Sequence, residues 1–289
     1  MPFLIDTEKI SELVVALLAR DIVLPATVNR VPQVDYRGSG GTVTVRVPQR
    51  RTAQEQETPG APINYSGIDE TPVTVTVKHL YDASQVTDED STLALADFAR
   101  QVLQPMVSAI IEGAENELAS VMNAVTPSFG WTDLSDAAKT EADVLAAREA
   151  LTKANVPVGN RFLAVSPEVA SVLLTLDKLS RVDASGTDSG LRDATIGRVY
   201  GMQVVESNAL DAETAVAYHS SGFAFATLSP AVPQGAASAS QAVENGVAVR
   251  VVYDFSPDIL SDVIAVSTFC GGAFVDAARV VRIGESESS

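Results

Sequence analysis

The residues of this chain that could carry out catalysis or bind a metal are few. His79 and His219 are its two histidines, and Cys270 is its single cysteine. A lone cysteine excludes an intramolecular disulfide and any zinc site built from several cysteines. Two histidines leave little material for a histidine metal site or for a catalytic triad. The sequence therefore points away from catalysis, and we expect no catalytic residue, no metal site and no cofactor.

Two of these residues have neighbours that could suggest a nucleophile. His219 is followed by Ser220 and Ser221, but no nucleophile-elbow pattern surrounds them, and a histidine at the end of a strand is more often structural. Cys270 lies in the apolar segment Phe269–Gly272, a setting that raises the pKa of a thiol. We predict a structural histidine and an inert, buried cysteine.

A glutamate cluster and a glycine-rich segment could each hold a ligand. Glu112, Glu115 and Glu117 resemble carboxylate metal ligands, but they lack a Glu-x-x-His partner, so we expect a solvated helix face. Residues 38–41 read GSGG, and a phosphate-binding loop of this kind must open a helix. Here the glycines precede a predicted strand, so we expect them to form the flexible base of a hairpin.

The composition limits the function further. The chain has 289 residues, with 20 Lys and Arg against 37 Asp and Glu, which gives a formal net charge of −17. At about 100 to 200 residues per domain, this length allows one large domain or two modest ones. The acidic balance argues against nucleic-acid recognition and against anionic membrane surfaces, because both need clustered positive charge.

The start of the chain shows no targeting signal, and its apolar stretches are short. Residues 1–30 lack a basic start and a small-residue cleavage motif. No apolar stretch reaches the roughly 20 residues that span a bilayer. We therefore expect a soluble intracellular protein that has no membrane partner.

Strict alternation of apolar and polar residues predicts a hairpin. Thr42–Val47 reads TVTVRV and Val73–Lys78 reads VTVTVK, which is the period of two expected of a half-buried antiparallel ribbon. Between them lie 25 residues, Pro48–Pro72, with four prolines and no periodicity. A connection of that length is either functional or disordered.

The valine face of this ribbon needs a cover, because a two-stranded sheet is only marginally stable. The rest of the same chain or a neighbouring subunit could supply it. Charged residues of the ribbon and its tip would suit docking on complementary patches of other copies, and the alternative is a solvated loop. These candidate assembly contacts are Arg46, Arg50, Arg51, Glu55, Glu57, Asp69 and Glu70.

Helical periodicity marks an N-terminal arm and a long spine. In residues 7–20 the apolar stripe includes Leu13, Leu17 and Leu18, which must pack on another surface because so short a helix is marginal alone. Residues 91–124 predict one helix roughly 50 Å long. Pro105 should kink it, because proline lacks a backbone donor and crowds the preceding turn.

The second half of the chain alternates in type. We predict a helix over 135–154, a strand over Arg161–Val165, a helix over Pro167–Thr175, a short helix over Gly222–Thr227, an exposed loop over Ser229–Gly246, and strands over Val247–Phe255, Asp262–Thr268 and Ala278–Ile283. The fold class is α+β with a protruding hairpin.

This order of elements resembles the major capsid proteins of tailed bacteriophages, in the coat-protein branch of the Hong Kong 97-type fold. Four stretches carry the resemblance to its arm, to two parts of its axial domain and to its closing strands. They are LVVALLARDIVLPATVNR (Leu13–Arg30), IGRVYGMQVVESNAL (Ile196–Leu210), AVAYHSSGFAFATLSP (Ala215–Pro230) and the segment from Val249 to Ile283.

The resemblance implies a shell subunit without enzymatic activity, which forms hexamers and pentamers of an icosahedral head around DNA. It implies an extended loop that lies over an adjacent subunit, together with scaffolding, portal and possibly cement proteins as partners. The particle would be the virion capsid, assembled in the host cytoplasm. The implied parts are an arm (1–34), an extended loop (35–80), a peripheral domain (81–125 and 257–289) and an axial domain (126–256).

One departure and two alternatives accompany the resemblance. The namesake shell links its subunits through a loop lysine and an asparagine, with the help of a glutamate, but Pro48–Pro72 contains no lysine. We therefore expect non-covalent overlap or a cement protein to stabilise the shell. One alternative is an encapsulin-like bacterial nanocompartment shell, and another is a hydrolase with an unrecognised site.

Overall fold

The computed structural model describes most of the chain. The described residues are 23–31, 41–48, 51, 53–56, 60, 62, 65, 67, 70–87, 99–176, 197–244 and 247–284. Several predicted features lie outside them, namely the arm stripe of Leu13, Leu17 and Leu18, the loop residues Arg50, Glu57 and Asp69, and the segment 180–195.

The regular elements follow one another in mixed order, as an α+β fold requires. The helices are α1 (Gln104–Asn123), α2 (Ala137–Lys153) and α3 (Pro167–Leu174). The strands are β1 (Asn29–Val31), β2 (Thr42–Pro48), β3 (Glu70–Thr76), β4 (Lys78–Thr87), β5 (Arg161–Val165), β6 (Arg198–Val199), β7 (Met202–Glu206), β8 (Ala215–His219), β9 (Phe223–Leu228), β10 (Ser238–Glu244), β11 (Val247–Ser256), β12 (Ser261–Phe274) and β13 (Val280–Ile283).

A six-stranded sheet forms the body on which the spine helix packs. Its order is β1-β9-β12-β11-β10, and β4 also pairs with β12. β12 reaches these partners because its 14 residues bond β11 and β4 through the first part and β9 through the second. Helix α1 lies on this sheet and buries the apolar stripe Met106, Val107, Ile110, Ile111, Ala114, Leu118, Ala119 and Met122.

A five-stranded sheet of order β13-β8-β5-β7-β6 forms the second core, together with α2 and α3. The α2 N-terminus is capped by Asp136, which accepts a hydrogen bond from the Ala138 amide. At its other end, the buried Arg161 guanidinium donates to the carbonyl oxygens of Val156 and Pro157. The guanidinium also donates to the Thr152 hydroxyl in the last turn of α2, so Arg161 stabilises the turn between α2 and β5.

The spine differs from the single long helix predicted over 91–124. Regular α-helix begins at Gln104, after a five-residue π-helical turn over Ala99–Leu103. Pro105 lies in the first turn of α1, where a missing N–H costs no intrahelical hydrogen bond. The proline therefore stands where the π-helical turn passes into regular α-helix.

Two elements of the second half and one of the first half differ from the prediction. The short helix predicted over Gly222–Thr227 is wrong, because these residues enter β9, a strand buried between β1 and β12. The exposed loop predicted over Ser229–Gly246 contains β10, which pairs along its whole length with β11. β4 continues for ten residues where no strand was predicted, because β12 extends past it as a pairing edge.

The sheets also divide the chain differently from the predicted domain limits. Residues 223–256 were assigned to the axial domain, yet β9, β10 and β11 belong to the six-stranded sheet under the spine. β13 was assigned to the peripheral domain, yet it pairs with β8 in the five-stranded sheet. The physical reason is hydrogen-bond pairing over long sequence separations, which the local pattern does not encode.

Candidate assembly surfaces

The ribbon predicted from alternation is present. β2 and β3 are antiparallel, with Val43 opposite Val75 and Val45 opposite Val73. Gly41, at φ 85°, precedes β2, and its carbonyl accepts a hydrogen bond from the Val77 amide. This glycine adopts a left-handed conformation that other residues avoid, as expected of the base of a hairpin.

The base of the valine face is covered by the same chain. Val43 and Val75 are 2% and 0% exposed, and they form a small core with Ala224, Ala226 and Ala273 of β9 and β12. The neighbouring-subunit cover implied by the resemblance is therefore wrong for this part of the ribbon. Small alanines on the sheet leave room for the valines to lie directly against it.

A glycine makes this contact possible. A Cβ added to Gly271 of β12 would clash with the Thr76 carbonyl oxygen and would stand 2.9 Å from its carbonyl carbon and 3.1 Å from the Val77 Cα. Contacts this short do not occur for real Cβ atoms. Gly271 therefore lets the end of β3 lie directly on β12, which fixes the direction in which the ribbon leaves the body.

The outer part of the ribbon has no comparable cover among the described residues. Val45, Val47 and Val73 are half-buried on the same face as the buried pair at the base, and Val45 and Val73 pack against the edge of its small core. Farther out, Tyr65 is 90% exposed. Apolar side chains that a projecting element leaves partly exposed mark an interaction surface.

The charged residues of the ribbon bond within the ribbon where the structure describes them. Arg46 forms an exposed ion pair with Glu70, with a distance of 3.4 Å between Nη1 and Oε2. Arg51 donates to the carbonyl oxygen of Gly67, which ties the two limbs of the loop together. Glu55 is exposed. Exposed pairs of this kind contribute little stability, so the charges remain available for docking.

Glu115 fastens the end of the arm to the spine helix. It was predicted to lie on a solvated face, but that prediction is wrong, because it is 8% exposed. Its carboxylate accepts hydrogen bonds from the amides of Val23 at 2.5 Å and Leu24 at 3.0 Å. These amides open a 3₁₀ turn at Leu24–Ala26, whose first N–H groups have no partner within the turn.

A second polar contact joins the end of the arm to the five-stranded sheet. The Thr27 hydroxyl donates to the Leu24 carbonyl at 2.7 Å and lies 2.6 Å from the Tyr218 hydroxyl of β8. Tyr218 is fully buried, and burial raises the pKa of its phenol, with a smaller contribution from the charge of Glu115. The phenol therefore stays neutral, and the arm end is joined to both α1 and β8.

We expect removal of the Glu115 carboxylate to loosen the arm end. Glu115→Ala leaves the buried Leu24 amide and the part-buried Val23 amide without an acceptor, so the free energy of unfolding should fall by about 1 to 3 kcal/mol. Glu115→Gln keeps an acceptor oxygen and should cost less. Urea unfolding of the unassembled subunit measures both values. Equal losses in the two variants would contradict the role assigned to the carboxylate oxygens.

The same carboxylate should make the stability of the unmodified subunit depend on pH in a way that the Glu115→Gln variant does not show. Burial raises the pKa of Glu115 above 4.5, and the bonds from Val23 and Leu24 offset only part of that rise. In the pH interval above 4.5, the unfolded chain therefore ionises first, and stability falls as pH rises. Relative to Glu115→Gln, the unmodified subunit should lose stability through that interval. If the unmodified subunit instead gained stability relative to Glu115→Gln as the pH rises, the raised pKa of Glu115 would be contradicted.

The other two glutamates of the predicted cluster do not share a site with Glu115. Glu112 is exposed, and Glu117 is half-buried and pairs with Lys78 of β4 at 2.7 Å. In the part of the chain that the structure describes, no three histidine, cysteine, aspartate or glutamate side chains are grouped as metal ligands. The helices described there include none that is long and apolar enough to cross a membrane.

His219 and Ser221 do come together, but as a cap. The His219 Nδ1 lies 2.7 Å from the Ser221 hydroxyl and accepts a hydrogen bond from the Ser221 amide. Burial, together with the cations Arg279 and Arg161, lowers the pKa of the imidazole. Cations rather than a carboxylate thus surround this histidine, which is the reverse of what a triad needs.

Cys270 is buried as predicted. It is 0% exposed, and burial raises the pKa of its thiol to about 12. A thiol with so high a pKa carries almost no thiolate at neutral pH, and thiolate is the reactive form. Cys270 is therefore an inert part of the core beneath α1.

Comparison with solved structures finds the same fold over almost the whole chain. A structure from Mycobacterium phage Che8 is 26% identical with a TM-score of 0.63, over 91% of this chain and 92% of that one. The capsid of cyanophage P-SCSP1u is 11% identical with a TM-score of 0.68, over 91% and 88%. A virus-like particle from Pyrococcus furiosus is 10% identical with a TM-score of 0.61, over 96% and 98%.

The family comparison agrees with these structures. No curated protein sequence matches the chain. The family model described as phage capsid protein matches residues 56–283, a range that includes β3, the spine helix, the five-stranded sheet and all strands of the six-stranded sheet except β1. The Hong Kong 97-type fold expected from the resemblance is confirmed. The chain belongs to the phage capsid protein family and is a structural subunit of a bacteriophage head.

Proposed function

We propose that this chain closes an icosahedral head from hexamers and pentamers, with the outer half of each ribbon lying over an adjacent copy. The observation that carries the proposal is the gradient along the valine face. Val43 and Val75 are fully buried on the parent chain, whereas Val45, Val47 and Val73 are only half-buried there. A second copy would remove this remaining apolar surface from water, which favours association by about 25 cal/mol per Å².

The ribbon and arm residues form the assembly contacts of this proposal. Leu13, Leu17 and Leu18 of the arm supply an apolar stripe. The charged positions of the loop supply pairs that select the correct neighbour, because complementary charges guide orientation more than they add affinity. These positions are Arg46, Arg50, Arg51, Glu55, Glu57, Asp69 and Glu70.

The acidic balance suits a DNA container. A net charge of −17 limits phosphate contacts, which would otherwise hold the packaged DNA to the inner wall. Like-charged subunits repel, so apolar contacts must outweigh a field that is screened beyond about 8 Å at physiological salt. The shell would be the virion capsid, assembled in the host cytoplasm with scaffolding and portal proteins.

The loop of this chain cannot form the lysine crosslink of the namesake shell. Pro48–Pro72 contains no lysine, so non-covalent overlap or a cement protein would hold mature shells together. We therefore expect dissociation into subunits under denaturing, non-reducing conditions. The family match favours a phage head over the nanocompartment alternative, and the shell function leaves the hydrolase hypothesis without a supporting observation.

Imaging of the purified full chain tests the proposal. We expect closed particles of tens of nanometres in negative-stain micrographs, and a matching fast species in sedimentation velocity. Monomers and small oligomers at every protein and salt concentration, with and without a co-expressed scaffolding protein, would contradict the shell function.

A further inference from the structure

In the part of the chain that the structure describes, β10 forms one edge of the six-stranded sheet. β10 pairs with β11 through seven consecutive residue pairs, and no strand among the described residues pairs with its other side. Alternate residues of such a strand direct their N–H and C=O groups outward. Protective features of natural edges include lysines, prolines and bulges. The sequence of β10, SASQAVE, has no lysine or proline, and its pairing is continuous.

This edge is also poor in charged residues, since Glu244 at its end is the only one in β10. No Asp, Glu, Lys or Arg occurs between Glu213 and Glu244, in a chain whose charged residues make up 20% of the sequence. Part of that stretch is buried in β8 and β9, but the part before and within β10 lies at the surface. It includes Val232 and Val243, which are 47% and 53% exposed.

The surface beside β10 is held in a fixed shape. The Gln241 side chain donates to the Pro230 carbonyl at 2.7 Å, and the Arg250 guanidinium donates to the Ala231 carbonyl at 2.6 Å. These two hydrogen bonds hold the loop that precedes β10 against the sheet. A prearranged surface loses less conformational entropy on association than a loose loop does.

We propose that β10 pairs antiparallel with β10 of a second copy, across a twofold axis at Gln241. Two six-stranded sheets then become one continuous sheet at a contact between subunits. The inference rests on the shell function and names one surface through which copies meet. A second copy fits this edge because both partners carry a net charge of −17, and a strip with few charged residues is where like-charged molecules approach at least electrostatic cost.

The sequence of the strand supports this register. With Gln241 on the axis, Ala239 lies opposite Val243 of the second copy, and Ser240 lies opposite Ala242 of the second copy. Glu244, the only charged residue of the strand, lies opposite Ser238 of the second copy. No two charged residues are therefore opposite each other. Such self-complementarity is what a twofold contact demands, because the same patch serves on both sides.

Disulfide trapping tests the register directly. Cα atoms opposite each other in an antiparallel pair are about 4.5 to 5.5 Å apart, within the range a disulfide spans. Chains with Ala239→Cys and chains with Val243→Cys, distinguished by a tag, are co-assembled and oxidised in the particle. We expect a disulfide heterodimer from the mixture and little homodimer from either variant alone. The unmodified chain is the control, since Cys270 is buried and its pKa is raised to about 12.

Two results would overturn the inference. One is closed particles whose mixed subunits give no heterodimer. The other is homodimer from each single variant in amounts equal to the heterodimer, which would mean a different register or random collision. Failure of the unmodified chain to form any particle would instead overturn the shell function, so the two failures are distinguishable.

A charge placed on the edge gives an independent test. Val243→Lys puts a lysine on an exposed position, so the subunit should fold with unchanged thermal stability, while particle yield should fall roughly tenfold or more. Val158→Lys is the matched control, because Val158 is 63% exposed on the turn after α2. Normal particle yield from Val243→Lys, or an equal loss from Val158→Lys, would contradict the proposed contact.

Discussion

Replacing residues 49–69 with Asn-Gly is expected to abolish closed particles and to leave a folded subunit. The deleted segment connects the ends of β2 and β3, at Pro48 and Glu70. A two-residue Asn-Gly turn joins antiparallel strands directly. The base of the ribbon keeps its own cover on β9 and β12, so the thermal unfolding midpoint of the subunit should change by a few degrees at most.

Assembly should fail because the tip can no longer reach a neighbour. In the described part of the tip, Arg51 bonds to Gly67 within the loop, and none of the described tip residues belongs to a buried core cluster. A Gly/Ser segment of the same length keeps the length of the loop but removes its side chains. It should also reduce particle yield, since it lacks Tyr65 and the loop charges. Normal particles from the shortened chain would show that the tip is not an assembly contact.

Gly271→Ala is expected to detach the base of the ribbon from the body. The added Cβ would clash with the backbone of Thr76, which cannot rotate away as a side chain can. Overpacking of this kind costs about 1 to 3 kcal/mol and occasionally more, and we expect the upper end because backbone must move. Urea unfolding measures the loss, and negative-stain counts should show fewer closed particles.

Gly272→Ala is the matched control for that substitution. Its added Cβ would stand 3.3 Å from methyl groups of Leu118 and Val121, and side chains of this kind can shift by a few tenths of an ångström. Successive strand residues face opposite sides of the sheet, so this control tests the helix side and spares the ribbon. The loss for Gly272→Ala should be about 1 kcal/mol or less. Equal losses in both variants would contradict the direct packing of β3 on β12.

The ribbon was predictable because alternation is a local property. TVTVRV and VTVTVK each show the period of a half-buried strand, and both lie within or directly after β2 and β3. The direction of packing was not predictable, because it depends on Ala224, Ala226 and Gly271, which are distant in sequence. Only pairing of β9 with β12 brings these small residues beneath the valines.

β9 and β10 show why the second half was harder to predict. The strand β9 reads FAFATL and is buried on both faces, so it lacks the polar alternation that separates a strand from a short helix. β10 is rich in alanine, which is depleted in strands, and in serine, which favours loops. It becomes a strand through its partner β11, since strand formation depends on context more than on intrinsic propensity.

Glu115 could have been recognised as buried from its position in the helix. Ile111 and Leu118 precede and follow it by four and three residues, and both are buried, so helical spacing places Glu115 on the apolar stripe. The residues that bond it, Val23 and Leu24, lie more than 90 positions earlier. The burial of Glu115 was therefore predictable from the sequence, whereas its hydrogen-bond partners could be identified only in the folded chain.

Hydrogen exchange of the ribbon tests the central claim most directly. The amides of residues 42–48 and 70–76 are compared in closed particles and in dissociated subunits. We predict that exchange at the base, around Val43 and Val75, is slow in both states, and that exchange around Val45, Val47 and Val73 is slow only in particles. Equal exchange of the outer ribbon in both states would contradict cover by neighbouring copies.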